Sequence, residues 1–297
     1  MNVLRKFGLI GLAAALAFFP GCQATGGDDD DPPPQTDAVI VDHTSIDIDD
    51  IPSTWIDQAK QTLHIAYGHT SHGSQLTTGM TGLIGFKGTQ YSFNNGGSGG
   101  ALDLRDYYGD FGGLGIAADL GNPNRTAWES ATRTYLDRNP TVNVVIWSWC
   151  GQVDGSQSDI QQYLDLMDGL EDDYPNVRFV HMTGHTDGAL PTGNVPLRNQ
   201  QIRAYCQAND KILYDFADIE SYDPDGDYFG DKLVNDACDY DSDGDGTRDS
   251  NWAVIWQNAH PGEWYNCESA HSQPLNANLK AYAAWWLWAR LVGWDGN

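Results

Sequence analysis

Short apolar segments and amphipathic segments alternate along most of the chain. Four apolar segments have the pattern of buried strands, and they span residues 63–67, 142–149, 177–182 and 211–216. Segments in which apolar positions recur with helical spacing cover residues 53–63, 126–137, 158–170, 197–208 and 275–292. This alternation predicts an α/β fold, a three-layer α/β/α sandwich around a central parallel sheet.

One long segment departs from this alternation. Residues 88–123 are rich in Gly and Asn and show no clear period, so they predict a long irregular loop. No internal repeat is present, and a single domain over residues 38–297 accounts for the pattern. In parallel sheets the functional site forms where the strands end. The residues that follow the strands should therefore share one surface, and they are 68–74, 150–154, 183–187 and those from 217 onward.

The amino-terminal segment has the pattern of an export signal. Arg5 and Lys6 precede an apolar stretch too short to span a bilayer, and residues 1–22 end at Cys22 in a sequence similar to a bacterial lipobox. Residues 23–37 are acidic and Pro-rich, as in a disordered tether. We predict an outer-membrane or surface-exposed lipoprotein that contacts the membrane only through its lipid anchor. The alternative is an ordinary cleaved signal.

Charge excludes one class of partner. The chain has 16 Lys and Arg against 41 Asp and Glu, a net charge of −25, so it cannot neutralise the phosphates of a nucleic acid. The same charge argues against electrostatic docking on an anionic lipid surface. The 11 Trp residues include three in predicted loops, where they could stack on sugar rings or simply pack: Trp252, Trp256 and Trp264.

Four cysteines remain after Cys22. An even number in an exported chain predicts two disulfides, and we expect Cys238 to pair with Cys267 and Cys150 with Cys206. The alternative for Cys150 is a buried free thiol.

A serine stands directly after the first predicted strand. Ser71 lies in the sequence Gly-His-Thr-Ser-His-Gly, at a strand-to-helix turn where backbone N–H groups can stabilise an oxyanion. Its alternative role is to cap the next helix. Near the chain's end, Glu268 and His271 are three residues apart and precede the last helix. A carboxylate that orients a histidine, which in turn activates a serine, is the arrangement of nucleophilic hydrolases.

These residues resemble the SGNH (GDSL-type) hydrolases, in which the serine follows the first strand and the histidine precedes the last helix. The resemblance implies a flavodoxin-like sandwich with Ser71 as nucleophile, His271 as base and Glu268 as its orienting acid. It also implies oxyanion donors, for which Gln152 and Gly113 are the candidates. The family's Gly-Asp-Ser and Asn positions are not matched. The blocks GHTSHGSQ, WSWCGQ, MTGH and AHSQPLN also resemble a group of bacterial envelope proteins.

Further polar residues follow the predicted strands and could position substrate. They are His69, His185 and Asp187. Together with His72 they could instead ligate zinc, since histidine and carboxylate side chains are its ordinary ligands.

An acidic segment predicts a calcium site. Acidic residues and glycines alternate as in EF-hand-like loops, and the segment resembles the calcium repeats of thrombospondin-type modules. The candidate ligands are Asp239, Asp241, Asp243, Asp245, Thr247 and Asp249. We expect calcium to order a loop insertion over residues 223–250, and no organic cofactor. The alternative is a solvated acidic loop.

The sequence thus predicts a serine esterase that removes acyl groups from a small molecule or a polysaccharide in or outside the cell envelope. Two alternatives remain open: a calcium-dependent glycan-binding protein without catalytic activity, and a zinc-dependent hydrolase.

Overall fold

The computed structural model describes residues 37–297, so the predicted signal, Cys22 and nearly all of the tether lie outside it. Seven parallel strands form the main sheet: β1 (Val39–Val41), β2 (His64–His69), β3 (Phe93–Asn94), β4 (Leu102–Tyr108), β5 (Val144–Trp147), β6 (Arg178–Met182) and β7 (Ile212–Tyr214). Their order is β1-β7-β6-β5-β2-β4-β3. Within the described residues, no helix is long and apolar enough to cross a membrane.

Helices cover both faces of this sheet. They are α1 (Ser53–Thr62), α2 (Ser74–Lys87), α3 (Ala127–Leu136), α4 (Gln157–Asp173), α5 (Asn194–Ala208), α6 (Phe216–Ile219), α7 (Trp252–Ala259) and α8 (Pro274–Leu291). One apolar core lies under α1, α2 and α8, and a second lies under α3, α4 and α5. The predicted sandwich with a central parallel sheet is confirmed.

The most deeply buried elements are those with the most continuous apolar sequence. All four residues of β5, Val-Val-Ile-Trp, are buried, as expected for a strand covered by helices on both faces. Helix α8 is buried on nearly all sides, including Trp285 and Trp288. Its Ala-rich sequence lets it pack closely against α1, α2 and the sheet.

The prediction of an irregular loop over residues 88–123 is wrong in part. This segment contains β3 and β4, and β4 pairs with β2 from Asp103 to Tyr108. Leu102 and Leu104 of β4 are buried, while Asp103 between them is also buried because it accepts hydrogen bonds from Arg105 and His64. A buried, paired carboxylate breaks the apolar pattern by which strands are recognised.

A small hairpin encloses the acidic segment. Strands β8 (Asp239–Tyr240) and β9 (Ser250–Asn251) pair antiparallel, and the loop between them carries the acidic residues.

The order of the strands places two strand ends side by side at a switch point. Strand β2 lies between β4 and β5 in the sheet. After β2 the chain forms β3 and β4 on one side of it and then crosses to form β5 on the other side. Gly68 of β2 is in register with Trp147 of β5. In doubly wound sheets, ligands bind at such a point, beyond the carboxyl ends of the strands.

Candidate functional site

The turn after β2 packs tightly on the end of β5. Ser71–Gly73 forms a single 3-10 turn that leads directly into α2. A Cβ atom at Gly73 would lie 2.1 Å from Ser148 Oγ, so only glycine permits this approach. The turn therefore brings Ser71 and His72 beside Cys150, the residue that follows Trp149 beyond β5.

A chain of polar contacts connects four side chains here. Cys150 Sγ lies 3.3 Å from Ser71 Oγ and 3.7 Å from His72 Nδ1. The other ring nitrogen, His72 Nε2, lies 3.0 Å from Asp236 Oδ2. A thiol, an imidazole and a carboxylate thus form a relay in which each group contacts the next. This is the arrangement that activates a cysteine nucleophile.

The relay shifts the pKa of each member toward its charged form. The hydrogen bond with His72 lowers the pKa of Cys150 to about 7, although burial alone would raise it. Burial alone would lower the pKa of His72, but its hydrogen bonds to Asp236 and Cys150 raise it to about 9. Burial alone would raise the pKa of Asp236, but the hydrogen bond from His72 and the nearby His185 and His72 rings together outweigh burial, so the net pKa is lowered. Near neutral pH these shifts favour a thiolate beside an imidazolium.

Two further imidazoles stack on His72. The ring centroid of His185 lies 3.8 Å from that of His72, and that of His271 lies 4.4 Å away. The planes are nearly parallel in both pairs, so the two rings occupy opposite faces of His72. His271 has φ of 64°, a left-handed conformation that is rare outside glycine and concentrated at functional sites. His72 itself is only 6 % exposed, whereas His271 is exposed and forms the solvent side of the site.

The structure brings together part of the predicted serine site. Ser71 and His271 both belong to the cluster, but among the described residues no hydrogen bond joins His271 to Ser71 or to Glu268. Glu268 is exposed.

The oxyanion candidates differ in their placement. Gln152 lies at the site, where its side-chain oxygen accepts a hydrogen bond from the Cys150 N–H, 3.0 Å away. The glycine that packs against Gln152 is Gly121, because a Cβ atom at Gly121 would lie 2.3 Å from Gln152 Cγ. Gly113 is exposed and donates its N–H to the Asp110 carbonyl oxygen, so this N–H is already engaged.

His69 and Asp187 have other roles. His69 is buried at the end of β2, and both ring nitrogens are engaged, with Asp106 and with the Thr70 carbonyl oxygen. Asp187 is exposed and accepts from the Ala189 N–H. The predicted set of histidines therefore does not form one ligand group. The ligand atoms that do lie within 4.8 Å of one another belong to His72, Asp236 and His271.

A cavity of about 200 Å³ lies beside the cluster. Thr186 and Asp187, which follow His185, form part of its wall, and so does Val234, two residues before Asp236. Its remaining lining mixes apolar side chains with Arg203 and Asp218. The relay residues themselves do not line this cavity, which adjoins the site only through the segments that carry His185 and Asp236.

The predicted disulfides are not formed, because all four cysteines in the described residues are free. Each thiol has its own surroundings. Cys206 is buried in the core under α3, α4 and α5. Cys238 contacts Ser272 Oγ at 3.4 Å, and Cys267 accepts a hydrogen bond from Asn278.

The acidic loop brings three of its predicted ligands together. Carboxylate oxygens of Asp241, Asp243 and Asp245 lie within 4.8 Å of one another. The other predicted ligands are outside this group and are engaged in hydrogen bonds: Asp239 accepts from the Asn251 side chain, and Asp249 accepts from the Ser242 N–H. Thr247 donates its N–H to Asp245.

Sequence reasoning missed Asp236 and the role of His72 as the central imidazole. Asp236 lies in an irregular segment between α6 and β8 that offers no period. The usable indication was His72, which follows Ser71 in the turn after β2, together with Cys150 shortly beyond β5.

Comparisons with family models, with curated proteins and with solved structures returned no match for this chain.

Proposed function

We propose that this protein is an acyl hydrolase that cleaves carboxylic esters, with Cys150 as the nucleophile, His72 as the acid and base, and Asp236 as the group that orients His72. The observation that carries the proposal is the relay from Cys150 Sγ through both nitrogens of His72 to Asp236. The lowered pKa of the thiol supplies a nucleophile at neutral pH.

The proposed reaction has two steps. The Cys150 thiolate attacks the ester carbonyl carbon, and the tetrahedral intermediate collapses to a thioester as the alcohol leaves with the proton of the His72 imidazolium. Water then attacks the thioester while neutral His72 accepts its proton, which releases the carboxylic acid and restores the thiolate–imidazolium pair. The Gln152 side-chain NH₂ and the N–H groups of the first turn after β2 are the candidate oxyanion donors, because the first N–H groups of a helix lack an internal acceptor.

Ser71 is the second candidate nucleophile for the same reaction. Its hydroxyl contacts Cys150, and the His271 ring lies at the same site, which keeps the serine mechanism of the SGNH type open to test. In that mechanism Cys150 would be a neighbour of the nucleophile and not the attacking group.

The sequence features suggest where the enzyme acts. The lipobox-like Cys22 and the acidic tether support a lipoprotein on the outer membrane or cell surface, and the acylated substrate is then a small molecule or polysaccharide met there. We also propose that calcium orders the acidic loop, because three carboxylates lie close together inside the β8–β9 hairpin. The cavity bounded by Thr186, Asp187 and Val234 is the proposed place for the alcohol part of the substrate.

A zinc-dependent hydrolase is the second candidate function. It is favoured by the proximity of His72, Asp236 and His271, which are residue types that bind zinc. Zinc there would activate a water molecule and make activity sensitive to chelators.

Hydrolysis of p-nitrophenyl acetate by single variants tests the proposal. We expect Cys150→Ala and His72→Ala to lower kcat by roughly 1,000-fold or more, as for other catalytic nucleophiles and bases. Ser71→Ala should lower it far less, and Cys267→Ala, which removes a half-buried thiol elsewhere, should match the wild-type protein. A zinc-selective chelator, added with calcium in excess, should leave the rate unchanged.

Three results would overturn parts of this account. Loss in Ser71→Ala and His271→Ala with activity kept in Cys150→Ala would assign the serine mechanism. Loss on chelation, restored by zinc, would assign the metal mechanism. Equal, negligible rates in every variant and with acetylated glycans would favour a glycan-binding protein.

A further inference from the structure

A fully buried ion pair lies behind the site. Lys280 of α8 and Glu220, which follows α6, are each 0 % exposed, and Lys280 Nζ lies 2.6 Å from Glu220 Oε2. Lys280 Nζ also donates to Gln75 Oε1 at 2.6 Å and lies 3.6 Å from the ring centroid of Phe216. Glu220 Oε2 accepts a further hydrogen bond from Asn276.

This pair is connected to both loops that carry the stacked histidines. The second Glu220 oxygen, Oε1, accepts the N–H of Thr186, the residue after His185. The Gln75 side-chain oxygen accepts a hydrogen bond from Lys280. The Gln75 side-chain NH₂ donates to the Ala270 carbonyl oxygen at 2.6 Å, and Ala270 directly precedes His271. One buried network thus fixes the backbone next to each ring that stacks on His72.

Fold stability alone does not account for such a pair. Removing two charges from water costs several kcal/mol each, and well-packed apolar side chains in place of a buried ion pair are often equally or more stable. Neither Lys280 nor Glu220 touches Cys150, His72 or Asp236 among the described contacts, so an effect on the relay has to pass through the loops.

We infer that Lys280 and Glu220 are positioning residues of the active site, which hold the His185 and His271 loops so that both rings stack on His72. The inference rests on the proposed function for its catalytic consequence. The titratable groups that face His72 are Asp236, Cys150, His185 and His271, and Glu220 raises the pKa of His72 from longer range.

The test replaces both charged residues at once. The Lys280→Met/Glu220→Leu variant should still fold, because no lone charge is left buried, with a thermal midpoint lowered by the polar groups that lose their partners. This variant loses the hydrogen bond from Thr186 to Glu220 and the one from Lys280 to Gln75, so the loops that carry His185 and His271 are no longer held. We expect kcat for p-nitrophenyl acetate to fall by roughly 10- to 100-fold and KM to change far less. The rate of Cys150 alkylation by iodoacetamide, followed by peptide mass, should reach half its maximum at a higher pH than in the wild-type protein.

Two further variants complete the design. Lys211→Met breaks a pair with Asp168 and Glu171 at the amino end of β7, whereas the site lies beyond the carboxyl ends of the strands, and it should change neither kcat nor the alkylation profile. Gln75→Met removes the connection to Ala270 together with the Lys280–Gln75 hydrogen bond, and it leaves the Lys280–Glu220 ion pair in place. If the double variant does not fold, Gln75→Met should still lower kcat and shift the alkylation profile.

The outcomes separate the inference from the proposed function. A folded double variant, or a folded Gln75→Met, with the wild-type kcat and alkylation profile would overturn the inference and leave the esterase proposal standing. A wild-type protein without esterase activity, whose Cys150 alkylation nonetheless depends on the pair, would support the positioning role and reject the esterase.

Discussion

Asp236 and Cys150 hold the two nitrogens of a single imidazole, and this determines the charge that His72 carries. Burial disfavours the imidazolium, but a carboxylate on one side and a thiol on the other stabilise it. The stacked rings of His185 and His271 restrict His72 to this orientation. In the proposed mechanism the relay is therefore already in place before substrate binds.

The reactivity of Cys150 should follow pH in a defined way. The thiolate forms as pH rises through about 7, and the imidazolium is lost as pH rises through about 9, so kcat/KM should be bell-shaped with limbs near those values. Alkylation by iodoacetamide needs only the thiolate and should rise through about pH 7. Asp236→Asn removes the charge that stabilises the imidazolium and should move this rise toward the ordinary thiol value of 9.0.

Cys267 provides an internal control in the same alkylation experiment. Burial raises its pKa to about 11, so it should react only at much higher pH. A Cys150 profile that resembles that of Cys267, or one that Asp236→Asn leaves unchanged, would contradict the relay.

At the residue scale the sequence identified only part of the cluster. Ser71, His185 and His271 were recognisable because they stand at strand ends or next to a helix start. Cys150 was assigned to a disulfide, because counting cysteines in an exported chain does not reveal which thiols meet. Asp236 was missed because its position depends on an irregular segment that packs back over the strand ends.

Among the elements, the contact between α2 and α8 sets the framework behind the site. A Cβ atom at Gly79 of α2 would lie 2.0 Å from the Ala277 carbonyl oxygen of α8, so the two backbones touch where Gly79 stands. Gln75 and Lys280 lie on these same two helices. The spacing of α2 and α8 therefore determines whether the buried network can form.

Two glycine substitutions in α2 should have opposite effects. Gly79→Ala forces the helices apart and should lower the free energy of unfolding by about 1–3 kcal/mol. Gly85→Ala, at an exposed helical position with nothing within 4 Å of the new methyl group, should raise it by up to about 1 kcal/mol. Urea unfolding of both variants measures this, and equal effects would mean that the helices are not in close contact at Gly79.

Element prediction succeeded where the apolar pattern was continuous and failed where it was interrupted. The helices over α1, α3, α4, α5 and α8 and the strands β2, β5, β6 and β7 were predicted within a few residues. Strand β1 has only three residues, and β4 contains the buried Asp103 and the half-buried Arg105 among its apolar positions. Tertiary pairing, which a local pattern does not contain, stabilises both.

For the whole molecule, the acidic surface is the dominant electrostatic feature. A net charge of −25 disfavours the compact state by self-repulsion, and a divalent cation relieves part of this where carboxylates converge. Asp241, Asp243 and Asp245 form such a point in the β8–β9 loop. This loop follows the segment that carries Asp236, so its order bears on the site.

Calcium should therefore raise the thermal midpoint. A concentration about 100 times the Kd should add roughly 2.7 kcal/mol of stability, or several degrees for a chain of this size. Asp241→Asn should abolish the increase, and Asp231→Asn, at an exposed position outside the loop, should not. A calcium effect that is identical in all three proteins would indicate general charge screening.

The most direct test of the central claim is to locate the covalent intermediate. The wild-type protein is mixed with p-nitrophenyl acetate, quenched in acid during turnover and digested, and the acetyl group is assigned to a residue by peptide fragmentation. Our account predicts one acetyl group, carried as a thioester on Cys150 and absent from Cys150→Ala. An acetyl group on Ser71, or turnover without any acylated residue, would contradict it.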